Sequence, residues 1–238
     1  MITVVIPVGP NSANKRWLDE ALDSIDKQTM TPTEVLLIDD MANIQVDGNY
    51  FECGTAYGHP GVYCVEDGKF AGCNIWLSPW RLGVAHAFNF GVALARNDLV
   101  FLMGSDDVLE PNCLEECYKA WQKNMKADAY YYCGVRYMDD GETQTVPCGY
   151  ALVTKGFWRK TGGFPLESSS GAPDAAFISI CLVHHPESLV GVAGGASLVN
   201  YRRHNESDTA GKGAWQGVIL ETRDLVTKNW KKPEWPRC

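Results

Sequence analysis

The 238-residue sequence reads as an α/β fold with a mixed, mostly parallel central sheet flanked by helices, and three observations carry that reading. The segments Ile2–Val8, Glu34–Ile38 and Asp98–Met103 are near-continuous apolar runs of strand length, the pattern of strands buried on both faces. Helix-period segments stand between them. The second and third runs end in paired acids, Asp39-Asp40 and, after Gly104-Ser105, Asp106-Asp107.

Taken in order, the first strand stops at Pro7-Val8-Gly9, and Asn11, Ser12 and Asn14 offer helix caps. Trp17, Leu18, Ala21, Leu22 and Ile25 then share one face of a helix ending near Gln28. The strand at 34–38 completes a β-α-β unit, with the parallel pairing and right-handed crossover such units adopt. Residues 41–80 are rich in Gly, Cys and aromatics and yield only short strands, at Val62–Val65 and Asn74–Leu77. A helix follows over Val84–Ala95, then the strand at 98–103, then a helix with Pro111 in its first turn and an apolar stripe of Leu114, Cys117, Tyr118, Trp121 and Met125. Strands are expected near Ala129–Val135, Tyr150–Thr154 and Ala196–Tyr201. A glycine turn is expected at Gly162-Gly163, a helix from about Pro173, and a last helix over 214–229. Domain-size priors favour one domain over 1–210, read as two halves at 1–110 and 111–210, followed by a helix and tail at 211–238.

A formal net charge of −8 argues against a nucleic-acid partner, which needs basic surface to neutralise phosphates. No run of ~20 apolar residues is present, so no transmembrane helix is expected. The opening residues lack the regions of a signal peptide, and with nine cysteines the simplest expectation is a reduced, cytoplasmic protein with buried thiols. Trp230, Lys231, Lys232 and Trp235 in the tail leave peripheral membrane contact open beside packing on the domain. Cys53, His59, Cys64 and Cys73 match no compact zinc spacing, and Cys113 and Cys117, one helical turn apart, read as packing residues.

Ligands of open parallel sheets bind beyond the carboxyl ends of the strands. Four acids at that edge repel one another, and a divalent cation with a diphosphate offsets the repulsion. The series Val4-Val-Ile-Pro7, Leu36-Leu-Ile-Asp39-Asp40, Gly83 through Asn89-Phe-Gly91, and Phe101-Leu-Met-Gly-Ser-Asp106-Asp107-Val-Leu-Glu-Pro111 resembles the family 2 glycosyltransferases in order and spacing. Gly162-Gly163-Phe164, Asp174 and Tyr201-Arg-Arg-His204 extend the resemblance to about residue 208. It implies the GT-A fold and inverting transfer of one sugar from a nucleotide-diphosphate donor to a glycan or other hydroxyl acceptor. By the same resemblance Pro7, Val8, Asp39, Asp40, Gly83, Asn89, Ser105 and Asp106 would bind the nucleotide sugar. Asp106, Asp107 and His204 would hold Mn2+ or Mg2+, Asp174 would be the catalytic base, and Gly162, Gly163 and Phe164 would meet the acceptor.

Three departures stand out. Gly104 replaces the usual first Asp of the metal motif, Phe88 replaces an Arg, and Ala172-Pro173-Asp174 replaces Gly-Glu-Asp. The Gln-x-x-Arg-Trp signature of processive synthases is absent, which favours single addition. Each acid also has a plainer role: Asp39-Asp40 as a turn pair, Asp106-Asp107 and Asp174 as first-turn helix acids, and His204 as a surface histidine. Two other functions compete with transfer. One is a catalytically impaired relative that binds a nucleotide or glycan. The other is a nucleotidyltransferase, disfavoured by the single glycine after the first strand.

Overall fold

The computed structural model describes residues 1–11, 15–52, 61–125, 127–166 and 173–204. Its strands are β1 (Ile2–Val8), β2 (Glu34–Asp39), β3 (Tyr50–Glu52), β4 (Val62–Val65), β5 (Cys73–Leu77), β6 (Leu99–Leu102), β7 (Val108–Leu109), β8 (Tyr130–Tyr132), β9 (Gly134–Tyr137), β10 (Thr143–Gln144), β11 (Ala151–Thr154), β12 (Leu189–Gly191) and β13 (Ser197–Tyr201). The helices are α1 (Leu18–Asp26), α2 (Val84–Leu94), α3 (Cys113–Lys123), α4 (Lys155–Thr161) and α5 (Pro173–His184). Nine strands form one sheet in the order β12-β8-β11-β6-β1-β2-β5-β4-β3. Its centre, β6-β1-β2-β5, is parallel, and antiparallel neighbours flank it on both sides.

Alternation along the central strands divides the core between the two faces. Val4, Ile6, Leu37 and Phe101 pack with α1 and α3, whereas Val5, Leu36, Ile38, Val100 and Leu102 pack with α2, α4 and α5. Close approach of α2 to the sheet depends on Gly91, where a Cβ would lie 2.3 Å from Val5 Cγ1. At the N-terminal edge of the strands the buried Glu34 carboxylate accepts from Thr3 Oγ1 (2.7 Å), Asn74 Nδ2 (2.8 Å) and the Arg96 amide (2.8 Å). Those bonds tie β1, β2, β5 and the turn before β6 together and satisfy a charge that would otherwise be costly to bury. Lys155 is similarly employed. Its ammonium donates to the carbonyls of Ala93 (3.3 Å) and Ala95 (2.5 Å) at the C-terminus of α2, and burial lowers its pKa.

A second sheet, β10-β9-β13-β7, sits beside the first. The single strand expected over 129–135 is therefore two. β8 belongs to the large sheet and β9 to the small one, with Cys133 at the crossing. Gly134 permits the crossing, because a Cβ there would stand 2.4 Å from the Gly195 carbonyl oxygen. Three further expectations are corrected. Pro111 precedes the cap of α3 at Asn112 instead of lying in its first turn. The Gly162-Gly163 turn ends a helix, α4, that the sequence reading omitted. Cys64 is disulfide-bonded, so the thiols are not uniformly reduced, although Cys73, Cys113, Cys117, Cys133, Cys148 and Cys181 are free. The caps at Ser12 and Asn14, the sites at Cys53 and His59, and the helix and tail at 211–238 lie outside the described residues. Among the described residues no helix is long and apolar enough to cross a membrane.

Replacing Gly91 with Ala will destabilise the fold by about 1–3 kcal/mol, because a stiff β-branched neighbour must yield in a packed core. Urea denaturation of the variant against the parent measures it.

Candidate active site at the strand ends

Pairing between β7 and β13 sets the geometry of the site. Val199 opposes Leu109 and Asn200 opposes Val108 in antiparallel register, so the residues after β13 run back past the acids that precede β7. His204 Nε2 lies 2.8 Å from Asp106 Oδ2. The Arg202 amide donates to Asp107 Oδ1 (2.7 Å) and its Nε donates to the Asp106 carbonyl (2.9 Å). The two adjacent acids thus have different surroundings. Asp107 is buried, and its other oxygen accepts a short hydrogen bond from the Tyr150 hydroxyl. Burial, then the Asp106 charge, push the Asp107 carboxyl well above the ordinary range. Asp106 is partly exposed and faces the imidazole.

Gly104 fits this compactness. A Cβ there would approach Asp107 Oδ2 to 2.6 Å and Asp106 Oδ1 to 3.0 Å, so the missing first acid of the motif leaves no gap. Next to His204 is a cavity of about 240 Å3 lined by Trp17, Met138, Asp139, Arg202, Arg203 and His204. The Arg202 guanidinium lies 4.7 Å from the Trp17 ring centroid, and the His204 and Trp17 rings are 4.7 Å apart. Arg202 also reaches Glu20 at 2.6 Å. Arg203 points the other way, pairing with Asp139 and Asp140 over the Tyr137 ring. Arg202 is the more enclosed of the two arginines and Arg203 the more exposed, both just beyond the end of β13.

Asp174 lies in the first turn of α5. It is partly buried, lies against Gly149, and burial raises its carboxyl above the ordinary range despite backbone hydrogen bonds from Ala175, Asp174 and Gly149. Gly149 touches Asp174 and Tyr150 holds Asp107, so two consecutive residues link the two acidic centres. The other nominated residues have local partners. Asp39 is buried and accepts from the amides of Ala42 (2.6 Å), Asn43 (3.2 Å) and Ile44 (2.7 Å), which is the turn role. Asp40 accepts from Leu82 and Gly83 amides and pairs with Arg81 Nε at 3.0 Å, and Gly83, with φ +78°, opens α2 there. Asn89 clamps Phe164 at two points, donating to its carbonyl (2.8 Å) and accepting from its amide (2.9 Å). A Cβ at Gly163 would lie 2.3 Å from Asn89 Oδ1 and 2.5 Å from Trp158 Nε1, so the Gly-Gly-Phe turn is packed against α2 and α4. Val8 and Ser105 are buried and Pro7 is partly buried. The sequence reading did not single out Tyr150 or Trp17 for the site. The tyrosine's only signal was its position at the head of an expected strand. A second cavity of about 210 Å3, lined by Ile44, Val46, Tyr50, Tyr63 and Leu77 among others, also went unnoticed because it is built from the 41–80 segment.

Comparison with known proteins agrees with this architecture. The profile described as "Glycosyl transferase family 2" matches residues 66–178. The glycosyltransferase GlyG of Streptococcus pneumoniae is 24% identical over 123 residues, covering 52% of this chain and 36% of that protein. This chain thus spans little more than a third of that relative. The fold superposes on S. aureus TarS 1-349 in complex with UDP-GlcNAc with a TM-score of 0.66 at 14% identity, covering 97% of this chain and 68% of TarS 1-349. For S. aureus TarS the TM-score is 0.63 at 13% identity, with 97% and 40% covered. The ordered acid pairs, the parallel sheet centre and the profile match over residues 66–178 make this chain similar to glycosyl transferase family 2.

Proposed function

We propose that this chain transfers a single sugar from a nucleoside-diphosphate donor to a hydroxyl acceptor, with inversion at the anomeric carbon. The observation that carries the reading is the Asp106–His204 pair beside a cavity lined by Arg202 and Arg203. A carboxylate and an imidazole at 2.8 Å, both partly exposed, suit a divalent ion that accepts mixed oxygen and nitrogen ligands. Mn2+ fits that donor set better than Mg2+, which prefers oxygen. When bound, such an ion would neutralise charge on the leaving diphosphate. Asp106 and His204 would hold it. Asp107, with its oxygens engaged by Tyr150 and Arg202, would fix the direction of Asp106 instead of ligating.

In this reading Asp174 takes the acceptor hydroxyl proton as the oxygen attacks the anomeric carbon, and the nucleoside diphosphate leaves with the bonding electrons. A carboxylate raised by burial is a stronger base than an exposed one, provided it is ionised. Asp40 acts through the 81–83 loop it holds, and Asn89 through the Gly-Gly-Phe turn. UDP-GlcNAc, bound in one TarS complex, is the first donor to test, and UDP, bound in another, the first nucleotide. The non-catalytic alternative rests on Gly104 and on the altered residues before Asp174, and donor hydrolysis by the parent, stopped by Asp174→Asn, removes it.

Asp106→Asn and His204→Ala will each remove the manganese-dependent rise in melting temperature that a nucleoside diphosphate confers, as differential scanning fluorimetry reads it. Asp174→Asn will lower turnover or donor hydrolysis by roughly 10²–10⁴-fold while leaving nucleotide affinity near that of the parent. Activity in the parent will rise with pH through the raised Asp174 value, since the protonated carboxyl cannot accept a proton. Stability will run the other way over that interval. The folded chain holds the Asp174 and Asp107 protons more tightly than the unfolded chain, so stability falls as pH climbs from the ordinary carboxylate range. Denaturation midpoints at several pH values check the sign.

A further inference from the structure

Three thiols that sugar transfer leaves unused meet at the buried face of α3. Cys113 and Cys117 lie one turn apart on that helix, and Cys133 stands beneath them where the chain passes from β8 to β9. All three are fully buried. The Cys117 and Cys133 sulfurs are 3.4 Å apart, those of Cys113 and Cys133 are 3.9 Å apart, and all three lie within 4.8 Å of one another. Packing alone explains a buried cysteine, but it does not require three sulfurs from two elements to meet at a point. Sulfurs bound to one ion at ~2.3 Å are separated by about 4 Å, close to the Cys113–Cys133 distance and reached from the others by small side-chain shifts.

We propose that Cys113, Cys117 and Cys133 form a three-sulfur site for a thiophilic d10 ion, zinc or monovalent copper, separate from the acid–histidine site. Among the described residues the cluster offers sulfur alone, and thiolate ligands select soft ions over the hard divalent ions suited to carboxylates. Binding replaces S–H bonds with sulfur–metal bonds and sends the protons to solvent, with no electron transferred, so retention strengthens as pH rises. Cys148 is the neighbouring thiol from which a fourth ligand would come, its sulfur donating to the Cys133 carbonyl at 3.2 Å.

The test refolds the full chain under anaerobic reducing conditions with zinc or with monovalent copper, in an Asp106→Asn, His204→Ala background so that the other site contributes no ion. After gel filtration against a chelator, bound metal per chain and the near-ultraviolet thiolate-to-metal absorption are measured. One ion per chain is expected, lost on Cys133→Ser. Retention of copper alone supports three-coordinate binding, and retention of zinc supports recruitment of a fourth ligand. Far-ultraviolet circular dichroism checks folding, and Cys113→Ala replaces Cys133→Ser if that variant does not fold. Retention of neither ion, or retention undiminished by these substitutions, overturns the proposal.

Discussion

The architecture of the strand ends depends on a single buried carboxylate. Asp107 cannot reach water, so its oxygens must find donors inside the protein, and it finds them in the Tyr150 hydroxyl and the Arg202 amide. Those donors come from the loop before β11 and the segment after β13, far from Asp107 in sequence. One desolvated carboxyl group therefore fastens three stretches of chain together. The pairing of β7 with β13 makes this economical, because the register that satisfies Asp107 also brings His204 against Asp106. The inner acid supplies the anchoring and the outer one is left partly exposed and free to face a ligand.

The two edges of the parallel sheet handle buried acid in opposite ways. At the N-terminal edge Glu34 is enclosed by neutral donors from three segments, with Arg96 Nε 3.7 Å away, and both cavities described above lie elsewhere. At the C-terminal edge Asp40 follows β2, Asp106 and Asp107 follow β6, and the site beyond Asp106 is lined with arginine and histidine. The first arrangement encloses its acid among donors, and the second leaves Asp106 and its His204 partner beside a cavity. The difference follows from topology, since the connections diverge only at the carboxyl ends of the strands.

Much of this was legible in the sequence, for reasons that are physical. β1, β2 and β6 are buried on both faces, which leaves little room for polar residues and so writes them as unbroken apolar runs. β4 and β5 fall where short strands were expected, and α2 and α5 begin at Val84 and Pro173, where helices were expected. The small sheet was not legible. β7 and β10 have two residues each and take their identity from partners distant in sequence. Of the nominated site residues, Asp106 and His204 do come together. Asp39, by contrast, holds a turn, a role that acid favours as readily as ligand binding. Tyr150 gave no signal because a lone tyrosine before a strand reads the same whether or not a buried acid awaits it. The thiol triad was half visible, since helical spacing pairs Cys113 with Cys117, but only the fold adds Cys133.

The central claim is that Asp106 and His204 share one divalent ion with the diphosphate of a donor. Crystals grown with manganese and a nucleoside diphosphate, with data collected at the manganese absorption edge, test it directly. The account predicts a single anomalous peak in bonding contact with the Asp106 carboxylate, the His204 imidazole and the diphosphate oxygens. A bound diphosphate with the peak elsewhere, or with no peak at all, would contradict it.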